Sequence, residues 1–117
     1  MGHWHDISAG LRGPARDLRE QIPDTYKGFA QLNAAAMGEG ALTVRTKELI
    51  ALAIAVADQC DGCIASHARG AARTGATPQE VAETLGVAIM MGGGPGTVYA
   101  PRAWEAYREF QQAQSSG

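Results

Sequence analysis

The sequence predicts an all-helical (all-α) domain of five or six helices. Apolar residues recur at spacings of three and four along several segments, which is the period of a helix that buries one face. No stretch alternates apolar and polar residues for more than four positions, as a half-buried strand would. Thr77-Pro78-Gln79-Glu80 combines an N-cap hydroxyl, a proline at the first helical position and a glutamate at the third. This complete capping box marks one helix start clearly.

The first third of the chain predicts two helices separated by a proline. Glycines interrupt the pattern as far as Gly13, so we expect a short helix at best there and a floppy terminus around Trp4 and its two flanking histidines. Good helix formers follow over residues 15–21, until Pro23 forces a break. Residues 24–37 then place apolar side chains on one helical face.

The central segment predicts a buried helix. Thr43 is a suitable N-cap, and the pattern continues to Asp58. Within it, Leu49 to Ala57 is apolar on all sides, as in a helix that is covered all round. A domain of this size exposes much of its surface, so either neighbouring helices or another subunit must cover this one. We expect a homo-oligomer.

Glycines divide the last half of the chain. An Ala-rich helix over residues 62–74 should end at Gly75, and the helix that follows the capping box should stop in the glycine-rich turn at residues 92–96. Such a turn lets the last helix pack closely. That helix is expected from Thr97 or Tyr99 to Gln112, with a flexible tail over residues 114–117.

Composition limits the function. The 117 residues fit a single domain over 1–117. With 10 basic and 12 acidic side chains the net charge is -2, so neither nucleic acid nor a membrane is an expected partner. The longest apolar run is nine residues, whereas a bilayer span needs roughly 20. The N-terminus lacks the basic start and apolar stretch of a secretory signal, so we expect a cytoplasmic protein.

The two cysteines, Cys60 and Cys63, are three positions apart. A cross-link over so short a loop stabilises a fold little, so in a reducing compartment this spacing indicates redox chemistry or metal binding. If Cys63 lies in the first turn of a helix, the two sulfurs can form a reversible disulfide. The partial positive charge at the helix N-terminus would also stabilise a thiolate.

Two further residues are placed to assist the thiols. His67 follows Cys63 by four positions, which puts both side chains on one helical face and lets the histidine take the thiol proton. A helical hairpin turning near Asp58 would bring Glu48 to the height of His67. A carboxylate there can orient and polarise a histidine that acts as a base.

The joint pattern Glu48-x11-Cys60-x2-Cys63-x3-His67 resembles the signature of the AhpD-like, or carboxymuconolactone decarboxylase-like, family. The similarity extends from about residue 20 to 110. It includes the segments Lys47-Glu48-Leu49-Ile50-Ala51-Leu52-Ala53, Gly75-Ala76-Thr77-x2-Glu80 and Met91-Gly92-Gly93-Gly94-Pro95.

This resemblance implies an all-helical trimer or hexamer with alkylhydroperoxide reductase (peroxidase, antioxidant) or thiol-disulfide oxidoreductase activity, acting on a small hydroperoxide without a cofactor. It implies that Cys63 attacks the peroxide and that Cys60 resolves the product and exchanges with a dithiol or thiol-protein reductant. His67 and Glu48 would relay protons. Some members carry a histidine between the cysteines where this chain has Gly62. Dithiol exchange is therefore implied more strongly than peroxidase activity.

Three alternatives stay open. A carboxymuconolactone decarboxylase-type lyase shares the family fold without needing a cysteine pair. A zinc site on Cys60, Cys63 and His67 would need Glu48 as its fourth ligand. A non-catalytic oligomeric helical module that binds a small apolar ligand would leave the thiols without a role.

Overall fold

The computed structural model describes residues 2–116 and confirms the all-helical prediction. Over these residues the chain forms six helices and no strand. No helix in this range combines the length and apolar character needed to cross a membrane. The helices are α1 (His3–Gln21), α2 (Pro23–Met37), α3 (Val44–Ala57), α4 (Asp61–Arg73), α5 (Pro78–Gly92) and α6 (Gly94–Ser116).

The core lies between α3, α4, α5 and α6. Helix α4 is central and packs on α3, α6 and α1, while α2 lies against α1 and α3. The face of α4 toward the core is built from small side chains together with Ile64, which lets its neighbours approach closely. The other large core side chains are Trp4, Leu52, Val56, Val81, Leu85, Tyr107 and Phe110.

The helix starts follow the capping residues of the sequence. The Thr43 hydroxyl accepts a hydrogen bond from the Thr46 N–H at 3.1 Å, as expected for the start of α3. The predicted capping box of α5 is confirmed, with Thr77 and Glu80 accepting from each other's backbone N–H at 3.1 and 2.8 Å. Gly75 has a φ of +85° in the turn between α4 and α5, which favours glycine.

The expectation of a short first helix and a floppy N-terminus is wrong. Helix α1 runs from His3 to Gln21 with Pro14 inside it, and Trp4 is fully buried. The indole Nε1 of Trp4 donates to Glu105 at 2.8 Å, and the backbone N–H groups of Trp4 and His5 donate to Glu109 at 3.2 and 2.8 Å. These contacts with α6 give hydrogen-bond partners to backbone N–H groups in the first turn of α1. They outweigh the weak helix propensity of the local sequence.

Helix α6 is longer at both ends than the sequence predicts. The break after α5 is a single residue, Gly93, with a φ of +63°. The expected close packing is confirmed at Gly96, where a Cβ would come within 3.0 Å of the Ile89 backbone. The helix also includes residues 114–116 of the segment expected to form a flexible tail, and Gly117 lies outside the described residues.

The chain alone does not cover α3 on every side. Ile50 and Ile54 are 45% and 55% exposed, and the nearby α5 leaves Val87 more than half exposed. These residues line shallow apolar depressions between α2, α3 and α5. Helix α2 has no buried residue, and its Phe29 and Leu32 are about two-thirds exposed.

Replacing Glu109 by Gln should weaken the attachment of the N-terminus. Burial raises the pKa of Glu109, but hydrogen bonds from His5 and Trp4 together lower it below its ordinary value of 4.5. The ionised carboxylate therefore stabilises the fold above that pH, and this contribution is lost as the pH falls through the lower pKa of the folded state. We expect E109Q to lose about 1 to 2 kcal/mol of unfolding free energy at pH 7.

Urea unfolding of both proteins between pH 7 and pH 3 checks this expectation. The difference in unfolding free energy between wild type and E109Q should become smaller below about pH 4.5. Glu83→Gln, an exposed change on α5, is the control and should shift stability by less than about 0.5 kcal/mol. If this difference in unfolding free energy does not change with pH, the ionised Glu109 carboxylate does not have the stabilising role assigned to it.

Candidate functional site

The two cysteines lie at the N-terminus of α4. Cys60 is the N-cap residue and Cys63 the third residue of the helix, and they are joined by a disulfide with a Cα–Cα distance of 5.2 Å. The Cys63 N–H donates to the Sγ of Cys60 at 3.2 Å. The Cys60 sulfur therefore faces a backbone donor and the positive end of the helix dipole.

A tight turn between α3 and α4 creates this arrangement. Gln59 has a φ of 54°, a left-handed conformation that non-glycine residues rarely adopt. The N–H groups of Asp58 and Cys60 return to the carbonyls of Ile54 and Ala55 at 2.8 and 3.1 Å. Helix α3 thus ends in hydrogen bonds, and the chain reverses within three residues so that α4 runs back alongside α3.

Glu48 and His67 meet across this helical hairpin. The Nδ1 of His67 lies 2.9 Å from the Oε2 of Glu48, and the two side chains are only 25% and 15% exposed. The predicted proximity of these residues is therefore confirmed, although their roles stay a prediction. When Nδ1–H donates to the carboxylate, Nε2 is the ring nitrogen left to accept a proton. Cys63 lies one helical turn before His67 on α4, on the side of the helix that His67 also faces.

Gly70 makes room for the Glu48 carboxylate, and sequence analysis did not find it. It is buried, and a Cβ at this position would overlap the carboxylate. The signal in the sequence is a glycine inside an Ala-rich helix, three positions after His67, where alanine would be the better helix former. The glycine has a poor helix propensity, but it leaves the space in which the Glu48 carboxylate reaches His67.

Asp61, which follows Cys60 directly, forms an ion pair that sequence analysis also missed. Its Oδ2 accepts from Nη2 of Arg102 on α6 at 2.7 Å. The Arg102 guanidinium lies over the rings of Trp4 and Tyr99, at 5.4 and 5.5 Å from their centroids. The hydrogen bond to Asp61 raises the pKa of Arg102, which therefore stays charged.

The cysteine pair is open to solvent on one side. Cys63 is exposed and Cys60 half-buried. Helix α1 contributes Leu11, whose Cδ1 would lie 3.1 Å from a Cβ at Gly62, so a larger residue at position 62 would require a small shift of the Leu11 side chain. Across residues 2–116, no three histidine, cysteine, aspartate or glutamate side chains are gathered as a metal site.

Comparison with known proteins places this geometry in a family. The sequence model of the carboxymuconolactone decarboxylase family matches residues 23–106. The chain belongs to the carboxymuconolactone decarboxylase family. The match begins with α2 and includes all four residues of the predicted site.

Relatives of this family member share most of its length. An uncharacterized protein of Cupriavidus necator is 43% identical over 86 residues, which cover 74% of this chain and 76% of the relative. An uncharacterized protein of the cox locus of Paracoccus denitrificans is 39% identical over 85 residues, covering 73% and 77%. These relatives support the family assignment and carry no activity with them.

Solved structures of the family have the same fold. The crystal structure of a carboxymuconolactone decarboxylase family protein from Legionella pneumophila, in its apo form, is 44% identical with a TM-score of 0.89, covering 92% of this chain and 96% of that one. A family member from Thermotoga maritima, for which an antioxidative role has been suggested, is 30% identical with a TM-score of 0.77, covering 90% and 92%.

Replacing Gly70 by Ala tests the coupling between Gly70 and Glu48. The new methyl group would displace the carboxylate from His67, and we expect a loss of about 1 to 3 kcal/mol of unfolding free energy. Gly86→Ala is the matched control, because Gly86 lies in α5 with open space around it. It should stabilise the protein by about 0.5 to 1 kcal/mol.

Urea unfolding of the double variant E48A/G70A completes this test. Removing the carboxylate frees the space that the methyl group needs, so the cost of G70A should disappear in the E48A background. An equal cost of G70A in both backgrounds would show that its effect does not pass through Glu48.

Proposed function

We propose that this protein is a thiol-disulfide oxidoreductase that reduces small hydroperoxides at the Cys60–Cys63 pair. The observation that carries the proposal is a disulfide-bonded cysteine pair at a helix N-terminus, one turn from a histidine that is hydrogen-bonded to a largely buried carboxylate. Each part corresponds to a step of thiol chemistry: an acidified thiol, a base for its proton and a second thiol within bonding distance.

In the reduced protein, Nε2 of His67 takes the proton of the Cys63 thiol while Glu48 stabilises the resulting imidazolium. The Cys63 thiolate attacks the terminal peroxide oxygen, the O–O bond breaks, and the leaving alkoxide takes the proton from His67. Cys63 is then a sulfenic acid. The Cys60 thiol then attacks the sulfenic sulfur, the S–O bond breaks, and the thiol proton leaves with the hydroxyl group as water as the disulfide forms. A dithiol reductant, such as a reducing cytoplasm supplies, returns the two electrons.

The family comparison supports this proposal in outline. The Thermotoga maritima family member with a suggested antioxidative role shares the fold at 30% identity. In the present chain a disulfide joins two cysteines at a helix N-terminus, and a histidine–carboxylate pair lies on the same helical hairpin. A decarboxylase-type lyase would use neither the disulfide nor its reduction. Dependence of the activity on Cys60 and Cys63 therefore distinguishes an oxidoreductase from a lyase.

Stoichiometric oxidation tests the proposal. One equivalent of alkyl hydroperoxide should convert the reduced protein to the Cys60–Cys63 disulfide, and a dithiol should reverse the change, with mass spectrometry as the readout. We expect C63S to consume no peroxide and C60S to stop at a sulfenic acid that dimedone traps. We expect E48Q to slow the reaction by about 100-fold, because it removes the partner of the base.

The control variant is Glu83→Gln, which is exposed on α5 and should react at the wild-type rate. If the thiols do not react with peroxide but the disulfide still exchanges with dithiols, the function is restricted to thiol-disulfide exchange. Peroxide consumption by C63S would reject Cys63 as the nucleophile, and thiols inert in both assays would leave the lyase or the non-catalytic module.

We also propose that the protein assembles as a homotrimer or homohexamer. Ile50 and Ile54 on α3, with Val87, Met90 and Met91 on α5, are 45% to 77% exposed, and Phe29 and Leu32 of α2 add to the exposed apolar surface. Patches of this kind on a small domain mark surfaces that bind another protein. A second copy of the chain offers matching apolar surface, which supports self-association.

Replacing Ile54 by Glu tests the assembly. A carboxylate at the centre of the exposed α3 surface would be buried without a partner in the oligomer, so we expect I54E to be monomeric by light scattering with unchanged helical content. Gln79→Glu, an exposed change at the start of α5, should leave the oligomer intact. A monomeric wild type would contradict the proposal.

A further inference from the structure

The side chain between the cysteines is a carboxylate, which is unfavourable for a neighbouring thiolate. Asp61 follows Cys60 directly and is the first residue of α4. A negative charge there stabilises the helix through its dipole but repels a second negative charge on either sulfur. The thiolate that the proposed reaction needs therefore requires some compensation of Asp61.

Arg102 supplies that compensation from a different helix. Its Nη2 lies 2.7 Å from Oδ2 of Asp61, and it is the partner that the structure gives this carboxylate. The other oxygen, Oδ1, is enclosed by protein and has no hydrogen-bond donor among the described residues. The Asp61 side chain as a whole is 41% exposed, so solvent screens part of its charge and Arg102 supplies the compensating cation on the protein side.

The guanidinium itself is held in place by aromatic rings. It lies over Trp4 from α1 and Tyr99 from α6, and the Trp4 indole is fixed in turn by its hydrogen bond to Glu105. Cation–π contacts with two rings restrict the guanidinium to one region. The cation is therefore pre-positioned against Asp61, although the ion pair is about two-fifths exposed.

We propose that Arg102 is a positioning residue of the redox site, which neutralises Asp61 so that the cysteine thiols can ionise at neutral pH. This inference rests on the proposed thiol function and extends it to a residue outside the cysteine–histidine–glutamate pattern. The titratable and charged groups near the pair are Glu48 and the C-cap residue Asp58 from α3, Asp61 and His67 from α4 and Arg102 from α6. Helix α1 contributes the apolar Leu11.

The test measures thiol ionisation without any peroxide. The fully reduced, full-length protein is alkylated with iodoacetamide between pH 5 and pH 10, and mass spectrometry follows Cys60 and Cys63 separately. In R102Q we expect alkylation of the more reactive thiol at pH 7 to slow by about threefold to tenfold, because the uncompensated Asp61 carboxylate disfavours the thiolate. R102K keeps the charge and should stay within about twofold of the wild type.

Two comparisons separate this role from a merely structural one. In D61N/R102Q the carboxylate is gone as well, so the rate should return to within about twofold of the wild type. Arg108→Gln is the matched control, because Arg108 lies on the same helix with its guanidinium over Trp104. It should leave the alkylation rate unchanged.

Equal alkylation rates in R102Q and wild type would overturn the proposal, and so would an equally slow D61N/R102Q double variant. If R102Q fails to fold by circular dichroism, R102M is measured in its place, because it keeps an apolar stem against the aromatic rings without the charge, and the same threefold to tenfold slowing is expected. If the thiols do not react with peroxide but the variants show the expected alkylation rates, the peroxidase function is rejected and the role of Arg102 in thiol ionisation stands.

Discussion

The distance between α3 and α4 is the constraint on which the rest of the site depends. Helix α4 presents small residues and Gly70 toward its neighbours, so α3 lies close enough for the Glu48 carboxylate to occupy the space of a missing Cβ. In that position the carboxylate is only 15% exposed and needs a polar partner, which His67 provides. Close packing and the histidine–carboxylate pair therefore require each other, and a larger residue at position 70 would disturb both.

The two ends of the chain support the same site from the other side of α4. Trp4 and His5 bind the acids of α6, and Trp4 lies against Arg102, which reaches the turn that contains the cysteines. The N-terminal helix thus contributes to the surroundings of the cysteine pair, although the family match begins only at residue 23. A helix with glycines and an internal proline persists because its first turn is anchored by burial and hydrogen bonds.

Sequence reasoning succeeded where structure is determined by nearby residues. The capping box at Thr77, the cap at Thr43 and the position of Cys63 in a first turn all depend on residues within one turn of each other. It failed where a contact joins distant positions. Trp4 and Glu109 are 105 residues apart and Asp61 and Arg102 are 41 apart, and no periodicity in the sequence records such pairs. Glu48 and His67 were found because a helical hairpin makes a separation of 19 predictable.

The two sulfurs have different surroundings although they are three residues apart. Cys60 is the N-cap, where the backbone N–H of Cys63 points at its sulfur and favours negative charge without any side-chain base. Cys63 is more exposed and shares a helix face with His67, so its proton can pass to the imidazole.

An exposed thiol with a base suits attack on an incoming peroxide. A half-buried thiol stabilised by the helix suits the later steps of the proposed reaction, in which Cys60 would be a nucleophile when the disulfide closes and a leaving group when it is reduced. The different surroundings of the two cysteines therefore match the two halves of that proposed cycle.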